Sequence, residues 1–237
     1  MPSRADTAPI ALASILPQVS RLWLFLDRFE AIPPYAEHEK IAVLRSQDVG
    51  DLRANGKLAG IVHEPHSCTF FAVDDDVEYP PDYGDALESY LDRFGGRVVV
   101  GVHAGVLQRP MTSYVRDTRF VHRRSPLKRA AGVDLLGTDS IAFRSSALSV
   151  DVRDWDAVNM VDLSFALTAR SRSIPLVAVP RKKAWVKPLA ERQSDSIWLG
   201  VKEDDTRQTA LALELLELPR PPLPKQRWPR RLSYRSA

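Results

Sequence analysis

The chain has 237 residues, with 33 Lys or Arg against 30 Asp or Glu, a formal net charge of +3 and 44% hydrophobic residues. That is an ordinary globular composition, long enough for one large domain with a substantial core. Cys68 is the single cysteine, so no intrachain disulfide can form, a disulfide-built secreted fold is excluded, and a reduced cytoplasm fits best. No apolar run approaches the roughly 20 residues of a membrane-spanning helix, and the N-terminus lacks a signal-peptide core, so membrane association is expected to be peripheral.

Residues 6–16 carry apolar side chains at Ile10, Leu12, Ala13, Ile15 and Leu16 with Pro9 near the start, which predicts a helix that Pro17 stops. The runs 22–26 (LWLFL) and 41–44 predict strands buried on both faces, joined through AIPPYAEHE. Residues 48–63 read as a loop leading into a short helix, and 69–73 as a strand. A helix over 80–94 follows, with Tyr83, Leu87, Tyr90, Leu91 and Phe94 on one face, and then a strand over 97–102. Residues 107–131, rich in Arg, Lys, Ser and Pro without a period, predict a long functional loop. Short strands are expected at 133–136 and 140–143 around Gly137, a helix at 159–171, a strand at 176–179 and an amphipathic helix at 205–218. Residues 219–237 hold six Lys or Arg and no acid, a Pro-rich tail that is either solvated or in contact with an anionic membrane face or nucleic acid. Alternating strands and helices predict an α/β fold with a mainly parallel sheet. Ligands of such sheets sit beyond the carboxyl ends of the strands.

That is where TFFAVDDDVEYPPDY places Asp74, Asp75 and Asp76. Three adjacent like charges gain nothing from folding, and oxygen ligands suit Mg²⁺ or Mn²⁺ gripping a diphosphate. The competing reading is a solvated turn capping the next helix, although Asp82 already suits that helix start. Other residues keep two readings each. His103 in GVHAG stands either near a ligand or as a core histidine, and the Gly137-Thr138 turn either admits a ligand to the backbone or is a tight hairpin. Trp155 and Trp185 either stack on sugar rings or pack, and Asn159 contacts a ligand or caps the helix before Asp162. The run HEPHSC, with His63, His66 and Cys68, matches no zinc spacing.

With MPSR, LPQVSRLWLFLD, SQDVGDL followed by Lys57, FFAVDDDVEYPPDY, VVVGVHAG, LLGTDSIAF and NMVDLSFAL in order, residues 1–190 resemble bacterial family-2-like glycosyltransferases of the GT-A fold. The resemblance implies a Rossmann-like nucleotide-diphospho-sugar transferase domain over 1–218, a mainly parallel central sheet flanked by helices. It implies a hexosyltransferase-like enzyme moving a sugar from a nucleotide diphosphate donor, usually uridine diphosphate (UDP), to a saccharide or lipid-linked hydroxyl, with inversion. The enzyme would assist surface polysaccharide synthesis from the cytoplasm or the inner membrane face, without nucleic acid as a partner. Mn²⁺ or Mg²⁺ is the implied cofactor, with Asp76 the direct metal ligand and Asp74 at the ribose or metal-bound water. Asp75 completes that signature. Pro2, Ser3 and Arg4 match the turn lining the base, Asp48 and Lys57 the segment contacting base and diphosphate, and Asp162 the catalytic carboxylate.

The family pattern has a buried strand before the Pro-Ser-Arg turn that this sequence does not contain. It has a second glycine where Asp139 stands, and often a late histidine ligand, whereas the last histidine here is His122. A shortened glycosyltransferase-like binding protein without turnover is therefore the alternative expectation, and a sugar nucleotidyltransferase a further one.

Overall fold

The structure, a computed structural model, describes residues 2–189 and 197–226. After a 3₁₀ turn at Pro2–Arg4, helix α1 (Ala8–Ile15) begins with Pro9, which costs nothing in a first turn whose N–H groups lack helical partners, and buries Ala8, Ala11, Leu12 and Ile15. Strands β1 (Leu22–Leu26) and β2 (Ile41–Arg45) pair in parallel from Leu22 opposite Ile41 to Leu26 opposite Arg45. The single-turn helix α2 (Ser46–Val49) ends at Gly50, whose φ of +100° suits glycine. An eleven-residue 3₁₀ segment, Arg53–His63, then lies flat against β1. Its glycines permit this. A Cβ at Gly56 would stand 2.1 Å from the Phe25 ring, and one at Gly60 2.3 Å from Trp23.

Strand β3 (Thr69–Val73) leads through the three aspartates to the two-residue β4 (Val77–Glu78) and to α3 (Tyr83–Arg93), which buries Tyr83, Leu87 and Leu91. Then come β5 (Val99–Gly101), β6 (Ala104–Leu107), β7 (Thr118–Val121), β8 (Ala131–Val133), β9 (Leu135–Leu136) and β10 (Ser140–Arg144). Helix α4 (Val161–Ser171), β11 (Leu176–Ala178), β12 (Lys187–Pro188), α5 (Ile197–Glu203) and α6 (Thr206–Glu217) complete the order.

The central sheet runs β3-β10-β5-β11-β8. Side chains alternate across it with the two-residue period of a strand. Val99, Ile141, Phe143, Leu176 and Ala178 pack with Phe165 of α4 and Leu215 of α6, whereas Val100, Ala142 and Val177 pack with Leu12 of α1 and Leu87 and Leu91 of α3. The α/β class therefore holds, but the expected mainly parallel sheet is mixed. Strand β10 runs antiparallel to both β3 and β5, and β8 antiparallel to β11; of the central ladders only β5 with β11 is parallel. Strands β9 and β10 continue one antiparallel run against β6 and β5, with a bulge at residues 137–140, so the direction of β10 is set where the chain reverses between β6 and β9.

The expected long loop at 107–131 is mostly turns and irregular chain, with one strand inside it. It holds β7, which pairs antiparallel with β6, and the first residue of β8, while β6 also pairs with β9. Residues 219–226 are anchored at their start, because Arg220 bonds Asp134 and Leu223 lies against Gly132; the remainder of the expected tail, 227–237, falls outside the described residues. Among the described residues no helix is long and apolar enough to cross a membrane.

One gap interrupts the layer of strands. Strand β1 pairs with β2 and with no other described strand, and β3 pairs only with β10. Between them is a cavity of about 750 Å³, lined by residues 22–25 on one side and 69–71 on the other.

Candidate active site

Strand β3 buries alternate residues, Phe70 and Ala72, and delivers Asp74, Asp75 and Asp76 where its apolar pattern stops. Tyr79 fixes their position. Its buried hydroxyl accepts the Asp74 N–H at 2.8 Å and donates to the Asp139 carbonyl at 2.6 Å, tying the acidic turn to the Gly137 turn. At that second turn the Gly137 N–H donates to His103 O at 2.9 Å and Ser140 N–H to Gly137 O at 3.1 Å. Glycine is required there: a Cβ would meet Asp139 Oδ1 at 2.7 Å and His103 Cβ at 3.0 Å.

The turn then positions Asp162. Thr138 donates to Asp162 Oδ1 twice, from its N–H at 2.9 Å and its hydroxyl at 2.6 Å, and Asp162 stands in the first turn of α4. Lys57, from the 3₁₀ segment, ion-pairs with Asp74 Oδ1. Burial works against its ammonium, yet Asp74, and after it Asp162 and Asp139, hold its pKa above the ordinary lysine value. Arg123 pairs with Asp139 Oδ2 at 2.5 Å; here too burial is outweighed, by Asp139, Asp74 and Asp76, and its pKa is raised. Arg4 Nε lies 3.8 Å from Asp76 Oδ2 and 4.0 Å from Asp75 Oδ1.

The carboxylates are out of balance with these cations. Burial, followed by the charges of Asp74 and Asp75, pushes the Asp76 carboxyl up to about 6. Burial also raises Asp75. Burial raises Asp162 against the opposing pull of Lys57 and the Thr138 hydrogen bonds. His103, half-buried against Phe120 and His122, is driven down to about 4 by desolvation, so its ring is neutral at pH 7; its Nδ1 has no hydrogen-bond partner among the described residues.

The sequence-predicted residues divide accordingly. Arg4, Lys57, Asp74, Asp75 and Asp76 line one continuous cavity, and Asp162 joins them through Lys57 and Thr138. Pro2 and Ser3 are exposed beside Arg4 in the same 3₁₀ turn. Asp48 is not part of the group: it is exposed on α2, outside the cavity lining, because the chain turns at Gly50 before the segment that carries Lys57. Trp155 and Trp185 are held in the packing, their indole N–H groups donating to Thr168 Oγ1 and Asp82 Oδ1, both at 3.0 Å. Asn159, at φ 61°, accepts the Ala54 N–H at 3.4 Å rather than capping α4.

Sequence reasoning missed Tyr79, Arg123 and Asp27. Asp27 is 3% exposed just after β1, lines the cavity and leaves Oδ1 without a partner among the described residues, while Oδ2 accepts from Arg28 Nε at 3.2 Å. Its signal was legible, since LWLFLD ends as TFFAVD does, in an acid after an apolar strand. Arg123 lay in the segment without a period, and Tyr79 gains its role only from a partner 60 residues away.

The donor set suits a hard divalent cation. It offers carboxylate oxygens with surplus negative charge, as the raised Asp76 carboxyl records. Among the described residues no three His, Cys, Asp or Glu side chains converge as a complete protein-built metal cage. A cation held by one or two carboxylates and completed by substrate phosphates needs no such cage. No family model matches the chain, and no curated protein matches it in sequence.

Proposed function

We propose that the chain is a metal-dependent glycosyltransferase of GT-A type, moving a sugar from a nucleoside diphosphate, with UDP the donor of choice, to a saccharide or lipid-linked hydroxyl. The observation that carries this reading is the meeting of two carboxylates around Lys57, Asp74 from the end of β3 and Asp162 from the start of α4. Separate carboxylates beside a half-buried cation match the two tasks of sugar transfer, departure of a diphosphate and deprotonation of an incoming hydroxyl.

In this reading Asp76 and Asp74 hold Mn²⁺ or Mg²⁺, which when bound supplies positive charge to the leaving diphosphate. Lys57 and Arg4 bind and orient the same phosphates. Asp162 accepts the acceptor's proton, and its burial-raised pKa brings it closer to neutrality, where a general base works best. Thr138 occupies one oxygen of that carboxylate with two hydrogen bonds and thereby sets its direction.

Calorimetric titration of UDP into the protein, with Mn²⁺ and then with a chelator, tests the donor site. Binding that requires Mn²⁺ is expected, and no heat from a folded protein overturns the reading. A nucleotide-binding protein without turnover is the second reading, favoured by the cavity that breaks the strand layer under the acidic turn. Mn²⁺-dependent UDP binding without hydrolysis or transfer from any nucleotide sugar would select it.

A further inference from the structure

Two stretches of the chain are basic throughout. Five Lys or Arg and no acid lie between Asp117 and Asp134, and four more and no acid between Ser173 and Ala190. The fold joins them. Leu127 and Arg181 exchange backbone hydrogen bonds at 3.0 and 2.9 Å, and the Ala184 N–H donates to Arg124 O at 3.0 Å. The buried Arg181 guanidinium locks this junction, donating to Val179 O and His122 O, both at 3.0 Å. Arg124, Lys128, Arg129, Lys182 and Lys183 are left exposed around it, and the last four have no ion-pair partner among the described residues. Gathered like charges repel, so folding gains nothing from them.

An apolar patch adjoins the basic one. Helix α5 exposes three successive apolar side chains, Ile197 at 45%, Trp198 at 37% and Leu199 at 46%. The Trp198 ring lies 5.5 Å from Phe120, and Phe120 lies 6.0 Å from the exposed His122, which opens the basic loop. The Lys202 ammonium stands 5.9 Å from the Trp198 ring. Both patches border the candidate site, because Ile197 lines the cavity of the acidic turn and Arg123 reaches Asp139.

We propose that the two patches form one docking face for an anionic lipid bilayer, with the basic loops at the headgroups and Ile197, Trp198 and Leu199 at the boundary with the acyl chains. The pairing of two chemistries selects this partner. A soluble polyanion needs only the cations, whereas an anionic bilayer takes up cations and apolar side chains together. Tryptophan, apolar with one polar N–H, suits that boundary. Leu223 lies against Gly132, three residues after Arg129, so the C-terminal stretch passes the same loop. The sequence from there holds Lys225, Arg227, Arg230, Arg231 and Arg235 and no acid.

The test is co-sedimentation of the full chain with vesicles of phosphatidylcholine alone and with about 30% phosphatidylglycerol, a leaflet of anionic charge. Three variants accompany it. One carries Lys128→Gln, Arg129→Gln, Lys182→Gln and Lys183→Gln, the second Ile197→Ser and Leu199→Ser, and the third Arg227→Gln, Arg230→Gln, Arg231→Gln and Arg235→Gln. Circular dichroism and the unfolding midpoint check that each is folded, and retention on immobilised heparin reports binding to a soluble polyanion.

The unaltered chain is expected to bind only the vesicles with phosphatidylglycerol. Each basic residue near such a surface is worth about fivefold in partitioning, so the loop variant should bind more than about a hundredfold more weakly. The α5 variant should lose about tenfold or more on vesicles and keep its heparin retention. No binding that depends on phosphatidylglycerol overturns the proposal without any variant. Loss only on substitution of the tail arginines would place the contact in the tail alone, and an α5 variant that binds vesicles like the unaltered chain would mean a site for soluble polyanions; either result overturns it. None of the readouts involves a nucleotide, so this inference and the glycosyltransferase reading stand or fall separately.

Discussion

Two clusters of charge in this protein are built from the same side chains and behave in opposite ways. Asp134 is 3% exposed, yet its carboxylate accepts from Arg170 at 2.6 Å, from Arg220 Nε at 3.0 Å and from the Leu107 N–H at 3.0 Å. Burial opposes its ionisation, but the hydrogen bonds and charges of the two arginines prevail and hold its pKa below the ordinary aspartate value. At the end of β3, three carboxylates share Arg4, Lys57 and the nearby Arg123, yet the pKa of Asp76 rises to about 6. The first cluster is closed, with its lone pairs satisfied by the protein. The second leaves carboxylate charge uncompensated, and in the proposed reading a ligand completes the balance.

The largest effect that would sharpen this contrast is expected from Asp134→Ala. It leaves the buried Arg170 without its carboxylate and should cost about 3–5 kcal/mol of stability, as loss of one partner of a buried ion pair does. Urea denaturation measures this, and a loss within experimental error would show that the cluster is not structural.

Asp162→Asn should lower transfer by about 10²–10⁴-fold while leaving Mn²⁺-dependent UDP binding intact, since it removes a proton acceptor and keeps the shape. Asp76→Ala should remove the binding itself. If both variants lose binding equally, the division of roles between the two carboxylates is wrong.

A smaller effect concerns pH. The Asp76 carboxyl sits near 6 in the folded protein against 3.8 as a free group, so the folded state holds more protons between those values and stability falls as pH rises through that window. The full shift corresponds to about 3 kcal/mol at most, and screening of a side chain that is 24% exposed reduces it. Without ligand, Asp76→Asn should therefore be the more stable protein at pH 7.5, by about 1–2 kcal/mol, with the advantage vanishing near pH 4. His103 slopes the other way, gaining stability as pH rises from about 4 to 6.5 because its folded pKa is depressed. That contribution is common to both proteins and cancels in the difference. An unchanged difference between pH 4 and 7.5 would refute the charge imbalance.

The smallest effect is the control. Lys187 and Glu78 pair at 3.4 Å on an exposed edge, and Lys187→Ala should change stability by less than about 1 kcal/mol.

Much of the scaffold was legible because burial writes a local pattern. The apolar runs at 22–26, 41–44 and 69–73 all lie in strands, although the burial on both faces expected of the first two is not met, since β1 buries only Leu22 and Leu26 and β2 no residue fully; the stripe of Tyr83, Leu87 and Leu91 is the buried face of α3. Strand direction was not legible, since an apolar run reads alike in both senses and the reversal that makes β9 and β10 antiparallel to β6 and β5 lies in the irregular chain between β6 and β9. Strand β7 was hidden for a similar reason: TRFV gains its pairing from β6, on the far side of an Arg-, Ser- and Pro-rich stretch. In the site, acids at strand ends stood out as chemistry, whereas Asp48 stood out equally and lies elsewhere. What placed Lys57 rather than Asp48 beside Asp74 is a packing contact that no spacing rule contains.

That contact is the seating of Gly56 and Gly60 against the rings of Phe25 and Trp23. Two hydrogen atoms, in place of two methyl groups, set how closely the segment bearing Lys57 approaches β1. The reach of a cation is thus governed by residues that carry no charge. Any side chain added at Gly56 would lever its neighbour Lys57 away from Asp74, and the acidic turn would lose a counter-charge without a single ionisable group having changed.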